Sequence, residues 1–134
     1  MIHVRALDHI VLNVADVERA LRFYADGLGL VPERLAEYRR GECPFPSVRV
    51  SADTIVDLFP PAMRENASPS GSRINLDHFC LVVEEPLDAV QAYLAKLGVA
   101  VETGPVRVFG ARGTGTSVYV RDPDGTLVEL RSYV

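Results

Sequence analysis

Leu7-Asp8-His9-Ile10-Val11-Leu12-Asn13-Val14 and Leu76-Asp77-His78-Phe79-Cys80-Leu81-Val82-Val83 are two versions of one segment, 69 residues apart. Carried on to Leu28-Gly29 over Leu97-Gly98, the alignment keeps 9 of 23 pairs identical. Further on, Thr54-Ile55-Val56-Asp57-Leu58 lies over Thr126-Leu127-Val128-Glu129-Leu130 at an offset of 72, so the second copy carries one longer loop. Matching segments in the same order mark an internal duplication.

Local signals give each copy a structure. The first opens on a β-rich apolar run, residues 7–14. Asp16 is placed to cap a helix with Val17, Ala20, Leu21, Tyr24 and Leu28 on one stripe, and Gly27 and Gly29 break it. In the second copy Pro86 suits a first turn, the stripe is Ala89, Val90, Tyr93, Leu94 and Leu97, and Gly98 terminates it. Short strands are expected near residues 30–37, 46–51 and 54–59, then near 100–103, 116–121 and 126–132, with Asp122-Pro123-Asp124-Gly125 as a turn. Each copy reads βαβββ, which predicts an α+β fold. Module 1 covers about residues 5–59 and module 2 about 74–134, joined by a Pro, Ser and Asn-rich linker at 60–73. A module of about 60 residues buries too little surface to stand alone, so the two should pack together or against those of a second chain.

Composition narrows the function classes. The chain has 134 residues, 48% apolar and 24% charged, an ordinary single-domain balance. Residues 1–67 carry 8 basic and 10 acidic side chains and residues 68–134 carry 6 and 8, so each half is −2. An evenly spread acidic charge gives no grip on phosphates, and no nucleic-acid partner is expected. The longest uncharged run, Gly113–Val120, is too short to cross a bilayer. Charge within Met1–Asp8 argues against a signal peptide, and Cys43 and Cys80 do not form a disulfide framework. A reduced, cytoplasmic protein is the expectation.

The duplication also repeats chemistry. It places a histidine in the first strand of each copy, His9 and His78, and a carboxylate in the last, Asp57 and Glu129. Strand alternation puts His9 with Val11 and Asn13, and His78 with Cys80 and Val82, leaving Ile10/Leu12/Val14 and Phe79/Leu81/Val83 to pack under the helices. If the copies are related by an approximate two-fold, two imidazoles and two carboxylates could converge. Such an N/O set suits a divalent first-row metal, which would polarise a substrate oxygen. Structural hydrogen-bonded residues would be copied in the same way, so spacing alone leaves both readings open.

The run Leu-Asp-His-Ile-Val-Leu-Asn-Val-Ala-Asp, the segment Phe23-Tyr24 to Gly27-Leu28-Gly29-Leu30, and the ending Tyr119-Val120-Arg121-Asp122-Pro123-Asp124-Gly125-Thr126-Leu127-Val128-Glu129-Leu130 resemble the vicinal oxygen chelate superfamily, the glyoxalase I / bleomycin-resistance / extradiol dioxygenase group. Gly104-Pro105-Val106 and Gly110-Ala111-Arg112-Gly113 are similar to its small single-domain glyoxalase-like members. The resemblance implies a curved mixed sheet around a cleft, frequent dimerisation, and a metal held by residues of the first and last strands of each module. Carried over by position, the ligands are His9, His78 and Glu129, with Asp57 where glyoxalase I-like members have Glu, one methylene longer. Glu129 and Asp57 are the candidate catalytic proton carriers. The metal would be nickel, cobalt, zinc, manganese or iron.

Departures from the subfamilies bear on the reaction. Asn13 stands where several glyoxalase I-like enzymes carry a basic residue for glutathione. His3, the one further histidine, is badly placed to be the extra acid/base of an extradiol dioxygenase. Val11 replaces a threonine of the fosfomycin transferases. Bleomycin-binding members lack the metal ligands. The expectation is a homodimeric metal-dependent lyase or isomerase acting on a small molecule that chelates through adjacent oxygens. A metal-dependent dioxygenase and a non-catalytic binding protein are the alternatives. Asn13, Arg112 and Tyr119 are the candidate substrate-binding residues. The segment Gly110–Thr116 is expected as a loop at the cleft mouth, with Arg112 or Arg107 facing an anionic group.

Overall fold

The two His-bearing segments become neighbouring strands at the middle of one sheet. The computed structural model describes residues 1–27, 29–66, 75–121 and 125–134. In chain order the elements are β1 (Val4–Asn13), α1 (Val17–Leu21) running into a π-helical turn over Arg22–Gly27, β2 (Val31–Glu33), α2 (Leu35–Arg39), β3 (Ser47–Arg49) and β4 (Ile55–Phe59). A 3-10 turn at Pro61–Asn66 follows, then β5 (Leu76–Val83), α3 (Leu87–Lys96), β6 (Thr103–Gly110), β7 (Gly113–Arg121) and β8 (Leu127–Ser132). The sheet is mixed and curved, in the order β2-β3-β4-β1-β5-β8-β7-β6. The α+β class and the paired modules are therefore as the repeat predicts.

Register makes the duplication geometric. β1 and β5 run antiparallel with His9 opposite Cys80 and Val11 opposite His78. Each is also parallel to the last strand of its own module, Val11 opposite Asp57 and Cys80 opposite Glu129. These pairs exchange under the 69- and 72-residue offsets, which is an approximate two-fold axis between β1 and β5. The β1/β5 ladder slips between Leu7 and His9 and between Val11 and Leu12. The extra residue is Asp8 on β1 and Asp77 on β5. A bulge leaves its extra residue outside the two-residue alternation and re-aims its side chain. These two bulges sit immediately before the histidines, while a third slip lies between Val4 and Ala6 near the start of β1.

Helices cover the apolar side of each half. Asp16 caps α1, its carboxylate accepting from the Arg19 N–H at 3.1 Å, and Pro86 opens α3. Val17 and Leu21 of α1 pack on Val48 and Leu58, while Leu87, Val90 and Leu94 of α3 pack on Val83, Val118, Val120 and Leu130. Burying one such side chain fully is worth about 1.5–3 kcal/mol. Val11, on the histidine side of β1, is fully buried, whereas Ile10 and Leu12 are only half-buried.

Three expectations change. The strand expected over 30–37 stops at Glu33 and gives way to α2, because Arg34 takes a left-handed backbone (φ 58°) and the residues after it favour helix. The strand expected at 100–103 begins only at Thr103 and continues to Gly110. The loop expected at Gly110–Thr116 is instead a tight hairpin, β6 to β7, pairing Gly110 with Gly113 around Ala111 and Arg112. Gly113, at φ 93°, supplies the positive φ that this reversal needs. Of the linker, Pro61–Asn66 is the 3-10 turn and residues 67–73 lie outside the described residues, as do Leu28 and 122–124 of the Asp122–Gly125 turn.

Candidate metal centre

Strands β1, β4, β5 and β8 carry His9, Asp57, His78 and Glu129 to one buried spot within a single chain. Both histidines aim Nε2 at the same oxygen, Glu129 Oε2, at 3.0 Å from His9 and 3.1 Å from His78. One donor atom from each of these three residues lies within 4.8 Å of the others. Asp57 stands slightly apart, Oδ2 3.7 Å from His9 Nε2, with Oδ1 accepting from the Ser47 hydroxyl at 2.5 Å.

The bulge carboxylates fix the rings. Asp8 Oδ1 lies 2.6 Å from His9 Nδ1, and Asp77 Oδ1 lies 2.6 Å from His78 Nδ1. A carboxylate only accepts, so each Nδ1 carries the hydrogen and donates. In a neutral imidazole Nε2 then presents a lone pair, and both lone pairs face a carboxylate. That arrangement repels unless protons or a cation lie between. Metal-binding histidines have this outer arrangement, with carboxylates holding the far nitrogen. Adjacent ligands at about 2.1 Å in an octahedral shell are about 3 Å apart, matching the His-to-Glu spacings. The donor set therefore fits a divalent ion.

Further groups hold these in turn. Arg131, fully buried, donates Nη2 to Glu129 Oε1 at 2.8 Å, which leaves Oε2 for the histidines. Its Nε reaches Ser117 Oγ at 3.1 Å, Nη2 the Phe109 carbonyl at 3.1 Å and Nη1 the Tyr133 hydroxyl at 3.2 Å. Asp8 also accepts from the Ala111 N–H at 3.0 Å and from Tyr133 at 2.5 Å, tying the hairpin turn to His9. Asn13 donates to Asp77 Oδ2 at 3.1 Å.

Electrostatics divide the two carboxylates. Burial opposes ionisation of Glu129, but His78, His9 and Arg131 hold it well below the usual carboxylate range. For Asp57 burial prevails over the nearby His9 and the Ser47 bond, and its carboxyl is raised. Burial opposes charge on His9, yet Asp8, Cys80 and Glu129 raise it; His78 is raised against burial by Asp77 and Glu129. Burial pushes the Cys80 thiol up to about 12, so it stays protonated and is no nucleophile.

The site opens into a cavity of about 450 Å³, within the range of small-molecule pockets. Its walls include Arg34, Phe45, Phe59, Met63, Phe109 and Tyr119.

A family model for the Glyoxalase/Bleomycin resistance protein/Dioxygenase superfamily matches residues 6–130. The chain belongs to this superfamily. Among superfamily relatives it is similar to the "Virulence protein STM3117" of Salmonella typhimurium, 30% identical over 128 residues, 96% of this chain and 84% of that one. It is similar also to a "Probable lactoylglutathione lyase" of Synechocystis sp., 28% identical over 126 residues and 91% of each chain. The fold matches the Mn(II)-bound glyoxalase from Novosphingobium aromaticivorans, with a TM-score of 0.68 at 19% identity, covering all of this chain and 40% of that one.

Against this superfamily background, the residues expected from sequence divide. His9, His78 and Glu129 meet at one point, with Asp57 at its border. Tyr119 lines the cavity, its ring 5.5 Å from that of His78, and burial and Glu129 keep its phenol neutral. Asn13 and Arg112 are not among the cavity-lining residues: Asn13 supports Asp77, and Arg112 pairs with Asp53 at 3.0 Å on the hairpin turn. Asp8, Asp77, Arg131 and Arg34 escaped sequence reasoning. The first two had a readable signal, an aspartate directly before the histidine in both copies.

Proposed function

We propose that this protein is a metal-dependent glyoxalase-like lyase or isomerase. Its substrate is a small molecule that binds the metal through two adjacent oxygens. The observation that carries this reading is the convergence of His9 and His78 Nε2 on Glu129 Oε2, with each far nitrogen held by a bulge aspartate. Likeness to a probable lactoylglutathione lyase agrees with it. His9, His78 and Glu129 would hold a divalent ion, which supplies polarisation of a substrate oxygen and so acidifies the neighbouring carbon.

The chain's own residues then divide the work. Glu129, pinned by Arg131, is committed as a ligand. Asp57 is the proton carrier: Ser47 fixes one oxygen, and the other, 3.7 Å from His9, is free to take a proton from the carbon beside a carbonyl and return it. Phe45, Phe59 and Phe109 give the cavity beside the site an apolar wall. The four site residues come from one chain, so the homodimer included in this reading is not needed to assemble them. A small-molecule partner, no nucleic acid and a cytoplasmic setting complete it. Among the described residues no helix is long and apolar enough to cross a membrane.

The test is solvent-deuterium incorporation at the carbon next to the carbonyl, followed by NMR over a panel of hemithioacetals and 2-hydroxy and 2-oxo acids. Metal-loaded wild type should exchange deuterium with at least one of them. Chelator, or Asp57→Asn in metal-loaded form, should stop it. Oxygen consumption with catechols in place of exchange would favour the dioxygenase reading. Tight ligand binding that chelator leaves untouched would favour a binding protein.

A further inference from the structure

Most arginines placed by the fold have a carboxylate partner. Arg39 is paired with Glu18, Arg40 with Glu42, Arg49 with Glu33, Arg112 with Asp53, Arg121 with Glu102 and Arg131 with Glu129. Arg34, which lines the metal-site cavity, has none among the described residues. Its guanidinium lies over the Phe109 ring at 3.9 Å from the centroid and over the Phe45 ring at 4.6 Å. One nitrogen, Nη2, donates to the Phe45 carbonyl at 3.1 Å, while Nε is buried with no hydrogen-bond partner among the described residues. The backbone there is left-handed, φ 58° and ψ 23°, a conformation arginine adopts only when its surroundings impose it.

These features describe a prepared cation. Aromatic faces attract a guanidinium through their quadrupoles, and stacking on them leaves its N–H groups directed outward in the plane of the fork. A buried N–H without an acceptor is costly, and a carboxylate or phosphoryl oxygen is the acceptor that suits a guanidinium edge best. Arg107, on β6, is a second cavity arginine without a carboxylate partner among the described residues and adds positive charge; its Nη1 reaches Thr116 Oγ1 at 3.4 Å. The third, Arg131, is fully engaged with Glu129 and its neighbours.

We propose that Arg34, clamped between Phe45 and Phe109, is the anion-binding residue of this cavity and selects substrates bearing a carboxylate or phosphoryl group away from their metal-binding oxygens. This rests on the reading that those oxygens meet a metal at His9, His78 and Glu129. The substrate class is then a small bifunctional acid.

Matched ligands test it. Malate, 2-hydroxyglutarate and 2-hydroxyadipate would be titrated calorimetrically against 2-hydroxybutanoate, 2-hydroxypentanoate and 2-hydroxyhexanoate, which carry a methyl in place of the distal carboxylate. The proteins are wild type, Arg34→Met and Arg34→Lys, each zinc-loaded and each with chelator. Wild type should prefer at least one diacid over its partner by tenfold or more. Arg34→Met should bring the pair within about twofold and leave the monoacid affinity in place. No preference in wild type, a preference surviving in Arg34→Met, or equal loss of both ligands would overturn the proposal. Should Arg34→Met fail to fold, Arg34→Lys decides: a reduced preference with intact monoacid binding supports the stacked guanidinium, and an unchanged preference contradicts it. If zinc makes no difference to any ligand while the Arg34-dependent preference persists under chelator, the metal reading fails and the anion site stands. Comparing 2-hydroxy-4-phosphonobutanoate with 2-hydroxyglutarate separates a phosphoryl from a carboxylate preference.

Discussion

At the residue scale the site is governed by what each histidine's far nitrogen touches. Asp8 and Asp77 hold each Nδ1–H and leave Nε2 facing Glu129, where the proposed metal would sit. Outer carboxylates of this kind typically affect affinity by about 10–100-fold. Asp77→Asn should therefore weaken metal binding by about that factor, read by competition with a chromophoric chelator, and a smaller change than tenfold would deny Asp77 its orienting role. Glu129→Gln should cost more, because it removes an anionic ligand and takes from buried Arg131 its nearest carboxylate, leaving only Asp8 at 3.7 Å. Asp57→Asn should keep the metal and lose deuterium exchange; loss of metal from this variant would make Asp57 a ligand instead. Little of this layer was legible beforehand. The histidines and the last-strand carboxylates announced themselves by repeating, but a regular two-residue alternation would set Asp8 and Asp77 on the face opposite the histidines, and the bulges re-aim them.

At the element scale the β6–β7 hairpin is part of the site. Its turn donates the Ala111 N–H to Asp8, and Phe109 gives a carbonyl to Arg131. Gly110 leaves room for that network: a Cβ there would lie 1.5 Å from Arg131 Nη1 and 2.6 Å from Asp8 Oδ1, both buried and hydrogen-bonded. Gly110→Ala should destabilise the protein by about 1–3 kcal/mol through overpacking and weaken metal binding as well. At Gly115 the nearest approach is 3.1 Å, so Gly115→Ala should be milder; equal unfolding midpoints for the two variants would contradict this account of the hairpin. The strands with apolar alternation and the capped helices could be read from the sequence. The hairpin could not, because Gly110-Ala111-Arg112-Gly113 reads as a loop unless the cross-strand partners are known. Arg34 was hidden for a related reason, since its aromatic neighbours come from distant segments, Phe45 and Phe109.

At the scale of the whole molecule, duplication folds a short chain into one sheet whose central axis creates the site. The repeat made the paired modules readable; it could not say that all four side chains converge within one chain. In the proposed reading, metal and protons would compete for this centre. The raised His9 and His78 stabilise the metal-free fold below their ordinary pKa of 6.5, and that contribution is lost as pH rises toward their folded values. Metal affinity changes in the opposite direction, rising as the imidazoles lose protons. Melting temperatures from pH 6 to 9 should thus fall without metal and rise or hold with it, the gap widening with pH; parallel curves would contradict the competition. At a free-metal level 100 times Kd the gain is about 2.7 kcal/mol, on the order of 10 °C for a domain of this size. The most direct test is metal content after equilibrating wild type and His78→Ala with a mixture of first-row divalent ions. Wild type should retain one tightly held equivalent per chain and the variant none; no metal in either, or equal metal in both, would contradict a metal centre at these residues.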